Sequence, residues 1–212
     1  MKESTKMIFE ELFVSFPMLE KVRYEIKTAY ETLEATYLSH GKVLCCGNGG
    51  SASDSEHIVG ELLKSFKKHR SIDPLVYQNL EKAGKDGGYL LSKLEGALPA
   101  ISLVSQTGIL TAFANDKAWD VAFAQQVYGL GNEGDCLIAL STSGNSQNCV
   151  NAVLVAKAKG IKTVGLVGGT GGKLKGICDI TIIIPEKETY RVQELHLPIY
   201  HCICAMLEEE LF

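Results

Sequence analysis

Five short, nearly unbroken apolar runs punctuate this chain of 212 residues, at 42–46, 100–104, 135–140, 161–167 and 177–184. A run with no alternating polar residues is what a strand needs when both faces of its sheet are covered. The first enters Gly47-Asn48-Gly49-Gly50, the third enters Ser141-Thr142-Ser143-Gly144-Asn145-Ser146, and the fourth enters Gly168-Gly169. Elsewhere apolar residues recur at helical spacing, as with Ile8, Leu12, Phe16, Leu19, Val22 and Ile26 over 4–38. Strand, glycine turn, helix and strand in repetition mark an α/β, doubly wound parallel sheet. The expected architecture is five-stranded, with helices on both faces, an N-terminal helical hairpin and a long C-terminal helix over 189–211. Pro17 should start the second helix of the hairpin, and Pro198 should kink the last one. Residues 51–66 read as a helix, as do 107–128 with a break near Asn115-Asp116. Residues 67–97, with Asp73-Pro74 and several glycines, read as an insertion within a single domain spanning 1–212.

Composition removes several functions. Lys and Arg number 21 against 25 Asp and Glu, a net charge of −4, so the basic excess of a phosphate-backbone binder is missing and no nucleic acid is expected. With 46% apolar residues the chain can bury a core. No apolar run approaches the roughly eighteen residues of a membrane span, and the N-terminal stretch lacks the apolar centre of an export signal. Seven cysteines, scattered without CxxC spacing, read as small core residues in a reducing, cytoplasmic setting.

Two strand-to-helix turns have the composition of ligand loops. Asn48, Gly49, Gly50 and Ser51 offer backbone N–H groups beside a helix start. The turn is neither GxGxxG nor GxxxxGK[ST], so no nucleotide cofactor is expected. The second loop, 141–146, places four hydroxyls and one amide in six residues. An ordinary helix cap needs one hydroxyl, so the surplus points to an anion held by neutral donors, such as a phosphate monoester. Among titratable groups, His57 and Glu61 share a helical face, while Gln193 and His201 lie eight residues apart on the last helix. Such a set is compatible with zinc, although a solvated helix pair and a core histidine are the plainer readings. His196 is a rival on that same helix.

The stretches CGNGGSASDSEHIVGEL, FANDKAW, GDCLIALSTSGNSQNCVNAV, AKAKGIKTVGLVGGTGGKL and RVQELHLPIYHCICAMLEEEL resemble the phosphoheptose isomerases of the sugar-isomerase (SIS) fold. The resemblance covers nearly all of the chain except about 67–97. It implies an aldose–ketose isomerase converting sedoheptulose 7-phosphate to D-glycero-D-manno-heptose 7-phosphate. Carried over, Ser141, Thr142, Ser143 and Ser146 would hold the phosphate, and Asn48, Gly49, Gly50, Ser51, Asn115 and Asp116 would line the sugar. His57, Glu61, Gln193 and His201 would bind zinc, with Glu61 and His201 as the acid/base pair. The family also forms homotetramers with sites at interfaces. Ser65 departs from it, standing where an arginine is usual, with Lys64, Lys67 and Arg70 as substitutes. Tyr190, where a smaller or acidic residue is common, is a second departure, and both bear on substrate identity. The alternatives are a pentose or hexose phosphate isomerase, and a non-catalytic SIS module that binds a sugar phosphate or a protein partner.

Overall fold

In the computed structural model, which describes residues 1–212, the apolar runs become strands because both of their faces are packed. The elements run α1 (Glu3–Ser15), a 3-10 segment (Pro17–Val22), α2 (Arg23–Leu38), β1 (Val43–Cys46), α3 (Gly50–Leu63), α4 (Pro74–Glu81) and α5 (Gly84–Leu91). Next come β2 (Ala100–Ser102), α6 (Thr107–Asp116), a second 3-10 segment (Trp119–Val121), α7 (Ala122–Leu130), β3 (Cys136–Ser141) and α8 (Gln147–Ala158). The chain ends with β4 (Lys162–Gly168), α9 (Leu174–Ile177), β5 (Ile180–Ile184) and α10 (Thr189–Leu211). All five strands are parallel, in the order β2-β1-β3-β4-β5.

Side chains alternate across the sheet with the period of two that strand geometry imposes. Val43, Cys45, Cys136, Ile138 and Leu140 face a core completed by α1, α2, α3 and α10. Leu44, Cys46, Leu137 and Ala139 face the other way, onto α6, α7 and α8. The cysteines are packing groups: all are free, and all but Cys178 are buried. Burial pushes the Cys178, Cys202 and Cys204 thiols up to about 12, which keeps them protonated.

Four expectations change in detail. Pro17 starts a 3-10 segment, and the second helix of the hairpin begins only at Arg23. The run at 177–184 divides, because α9 ends at Ile177 and β5 pairs with β4 only from Ile180. α10 continues through Pro198 as one helix. Within 67–97 lie two helices, α4 and α5, and Asp73 caps α4 by accepting from Leu75 N (2.8 Å) and Val76 N (3.1 Å), with Pro74 at the first helical position. These two helices pack on one another at Gly87, where a Cβ would collide with the Leu80 carbonyl oxygen.

α3 stops at Leu63, and the segment after it is tied down by a buried ion pair. Arg70 Nε donates to Glu208 Oε1 at 2.7 Å, and both side chains are almost wholly excluded from water. Arg70 also donates to the carbonyls of Leu62 (2.7 Å) and Glu61 (2.8 Å), two of the orphan acceptors at the end of α3. Glu208 accepts in addition from the backbone N–H groups of Phe66, Lys67 and Lys68. Burial alone would raise the Glu208 carboxyl, but these donors outweigh it and hold it below the ordinary value of 4.5. The stabilisation is therefore present above that value and is lost as pH falls through the lower folded one. Glu208→Ala should cost about 3–5 kcal/mol in denaturant unfolding, because it strands a buried guanidinium. Glu31→Ala, which breaks the exposed Lys27–Glu31 pair, should cost about 0.5 kcal/mol or less by the same measurement.

Candidate active site

Strand order 2-1-3-4-5 has its topological switch point between β1 and β3, and ligands in such sheets bind outside the carboxyl ends of the strands there. The helix after β1, α3, packs on one face, and the helix after β3, α8, packs on the other. The two loops between them open a crevice of about 380 Å³ lined by Asn48, Gly49, Gly50, Ser51, Ser141, Thr142, Ser146 and Gln193. The class so defined is a doubly wound α/β protein whose ligand crevice lies between two helix N-termini.

The local chemistry stems from these turns. Gly49 has a φ of +57° and Gly144 one of +66°, the left-handed region that glycine enters without a Cβ penalty. A Cβ on Gly50 would lie 2.6 Å from Gln193 Nε2, so the glycine brings α10 close to the start of α3. Asn48 and Asn148 exchange two amide hydrogen bonds, of 2.9 and 2.8 Å, which clamp the first loop to α8. The Ser141 and Ser146 hydroxyls are 2.9 Å apart, and Ser146 does not cap α8 with its side chain. Cys149 N is taken by Asn148 Oδ1 at 3.0 Å, which leaves Gln147 N and Asn148 N as the uncapped donors of the first turn, where the helix dipole favours an anion. No lysine or arginine lines it.

A second cluster sits where α3 packs along α10. His57 Nε2 is 3.3 Å from Glu61 Oε1 and 3.4 Å from His201 Nε2. Lys64 Nζ lies 3.0 Å from the other Glu61 oxygen. His57 Nδ1 is 3.0 Å from the Tyr200 hydroxyl, which is itself 3.2 Å from Asp54 Oδ1. Partial burial and then the neighbouring His57 hold the His201 pKa below its ordinary value, so its imidazole is neutral at pH 7. The arrangement combines a carboxylate, two imidazoles and an ammonium, the ingredients of proton transfer. No group of three or more His, Cys, Asp or Glu side chains encloses a single point as a finished metal site.

The two clusters divide the expected residues. Asn48, Gly49, Gly50, Ser51, Ser141, Thr142 and Ser146 meet at the crevice, and His57, Glu61 and His201 meet on the helix seam. Gln193 does not join the histidines. It precedes His201 by eight residues, about 12 Å of helix, and its amide lies against Gly50. Ser143 is exposed at the loop tip, where its hydroxyl accepts from Asn145 N at 3.2 Å. Asn115 and Asp116 do not line the crevice of their own chain; they sit at the C-terminal end of α6. They are exposed there and bond to one another at 2.9 Å. His196 is fully buried, and burial pushes its pKa down to about 4, so the core reading applies to it. Of the stand-ins for the missing arginine, Arg70 is buried on Glu208, and Lys64 is the one that reaches Glu61. Sequence reasoning missed Thr189, which lines the crevice, and Asn148, Asp54 and Tyr200. Only Asn148 carried a signal, as an amide in the first turn of the helix after the serine loop.

Comparison with known proteins places this arrangement. The SIS domain family matches residues 17–168. A phosphoheptose isomerase from a Nitratiruptor species is 39% identical over 90% of this chain and 88% of the relative. That of Clostridium acetobutylicum is 40% identical over 89% of this chain and 83% of the relative. Among solved structures, the phosphoheptose isomerase of Neisseria gonorrhoeae superposes with a TM-score of 0.74 at 30% identity, covering 98% of both chains. That of Francisella tularensis gives 0.73 at 28%, over 99% of this chain and 100% of the other. The chain belongs to the SIS-domain family, among its phosphoheptose isomerases, and is a sugar-phosphate isomerase.

The two left-handed glycines should respond differently to substitution. At Gly49 an added Cβ meets nothing within 4 Å, so Gly49→Ala should cost only backbone strain, about 1–3 kcal/mol at its φ of 57° and ψ of −123°. At Gly144 it would collide with the Gly171 carbonyl, so Gly144→Ala should cost more and should also weaken sugar-phosphate binding. Thermal unfolding and calorimetric titration of the two variants check this order.

Proposed function

We propose that the protein interconverts sedoheptulose 7-phosphate and D-glycero-D-manno-heptose 7-phosphate. The carrying observation is the pairing of a phosphate-sized crevice with a carboxylate–imidazole cluster two helical turns further along α3, from Gly50 to His57, or roughly 10 Å. That separation suits a ketose extended between its phosphate and its carbonyl end. The names of the relatives support the same substrate.

In this reading the N–H groups at the start of α8, with Ser141, Thr142 and Ser146, hold the phosphate, Ser143 closing over it. Asn48, Gly49, Gly50, Ser51 and Gln193 orient the chain of hydroxyls. Glu61 takes a proton from C1 of the ketose while the neutral His201 assists at the C2 oxygen, giving the enediol. Return of a proton to C2, with loss of the O1 proton, yields the aldose. Lys64 stabilises charge as it develops beside Glu61. His57, Glu61 and His201 carry the imidazole and carboxylate donors that zinc accepts, although they do not close on a single point. Such an ion would polarise the carbonyl oxygen. A homotetramer belongs to the same proposal: it would give Asn115 and Asp116, remote within their own chain, a neighbour's sugar to contact.

Incubation with C5, C6 and C7 ketose phosphates, followed by NMR, should show aldose formed fastest from the C7 substrate. A preference for a shorter ketose would overturn the substrate, and no product from any of them would overturn the reaction. Glu61→Gln should lower kcat at least about 100-fold with binding retained, while Ser141→Ala with Ser146→Ala should raise KM and leave the free sugar unaffected. Elemental analysis before and after chelation tests zinc, and light scattering tests the tetramer.

A further inference from the structure

We propose that Asp54 and Tyr200 are positioning residues that hold His57 in the tautomer whose Nε2 lone pair faces Glu61 and His201. The contacts of Tyr200 favour one assignment of protons. The Tyr200 hydroxyl stands 3.2 Å from Asp54 Oδ1 and 3.0 Å from His57 Nδ1, and a phenol has a single proton to donate. An ionised carboxylate only accepts, so that proton goes to Asp54. The Tyr200 oxygen must then accept, and the donor is His57 Nδ1–H. A neutral imidazole protonated at Nδ1 has a bare Nε2.

The consequence falls on Glu61. His57 Nε2 and Glu61 Oε1 are 3.3 Å apart. Protonated at Nε2, His57 would donate to that carboxylate and weaken it as a base. Held by Tyr200, His57 instead presents a second acceptor, and the space between the two favours a proton or a cation. Hydrogen bonds from the far nitrogen of a metal-binding histidine to a carboxylate set tautomer and ring orientation in this way. Here the carboxylate acts through an interposed phenol. Tyr200 is sheltered, 4% exposed, so water does not compete strongly for the two bonds. Its ring also lies edge-on to both imidazoles, with centroids 5.5 Å from His57 and 5.0 Å from His201, which restricts their rotation.

The use assigned to the lone pair rests on the isomerase mechanism proposed above, whereas the tautomer rests on the hydrogen bonds alone. Both can be read from one set of proteins. Long-range proton–nitrogen NMR of chelator-treated, 15N-labelled protein reports the tautomer, with the His57 signals identified by their loss in His57→Gln. The wild type should be protonated at Nδ1. Tyr200→Phe keeps the ring packing and removes only the hydroxyl; it should move His57 to the Nε2-protonated form and lower kcat about 10- to 100-fold with KM changed less than about twofold. Asp54→Leu should shift the tautomer in the same direction, and Asp54→Asn, which retains an acceptor oxygen, should restore it. An Nε2-protonated His57 in the wild type, or an unchanged tautomer in both Tyr200→Phe and Asp54→Leu, would overturn the assignment. An Nδ1-protonated wild type without isomerase activity would sustain the positioning role and dispose of the mechanism instead.

Discussion

The packing of α3 and α8 on opposite faces of the sheet is the constraint on which the site depends. Because the two helices leave β1 and β3 in opposite directions, the loops joining them to their strands cannot close over one another, and a crevice stays open at the sheet's carboxyl edge. The start of each helix lies beside that space, although at α3 the N–H groups of Ser51, Ala52 and Ser53 already donate to the carbonyls of Asn48 and Gly49. The same divergence places α3 on the face that α10 covers, so His57 and Glu61 meet His201. A single topological event thus produces the anion pocket and the proton-transfer cluster. The buried Arg70–Glu208 pair keeps the far end of α3 against α10 and so holds the carbonyl of Glu61 itself.

Charge in this protein works locally. A net −4 would repel a phosphate if the field of the whole molecule decided binding. In the proposed reading the crevice would instead use neutral hydroxyls, backbone N–H groups and helix dipoles, which act at hydrogen-bond range and need no lysine or arginine. The ammonium that is close by, Lys64, stands beside Glu61, the proposed base, rather than at the crevice proposed for the phosphate. In that proposal, anion recognition and charge stabilisation fall to different groups on different elements.

Much of this is legible from short-range patterns. Unbroken apolar runs identify strands covered on both faces, and the glycine and serine turns identify which strand ends bind. The spacing of His57 and Glu61 puts them on one helical face, and four hydroxyls in one loop exceed the needs of a cap. Relations between distant segments leave no such trace. Nothing in the sequence near Tyr200 announces that its hydroxyl bridges Asp54 and His57, which lie 146 and 143 residues away along the chain. Ser65 reads as a missing cation, yet only the structure separates Lys64, which reaches Glu61, from Arg70, which is consumed by Glu208. Asn115 and Asp116 belong to a motif, yet neither lines the crevice of its own chain.

By itself, the sequence determined the α/β class, the parallel strands, the two binding turns and the family to which the chain belongs. The first three come from periodicity and backbone freedom, which act over a few residues and leave their mark in local order, whereas the family comes from resemblance to known motifs. The tertiary structure alone decided that the Gln193 amide lies against Gly50 at the crevice, that His196 is core, and that the Tyr200 hydroxyl meets both Asp54 and His57. Each of those outcomes depends on how α10 lies against α3 and the sheet, and therefore on the packing of side chains that the sequence keeps far apart.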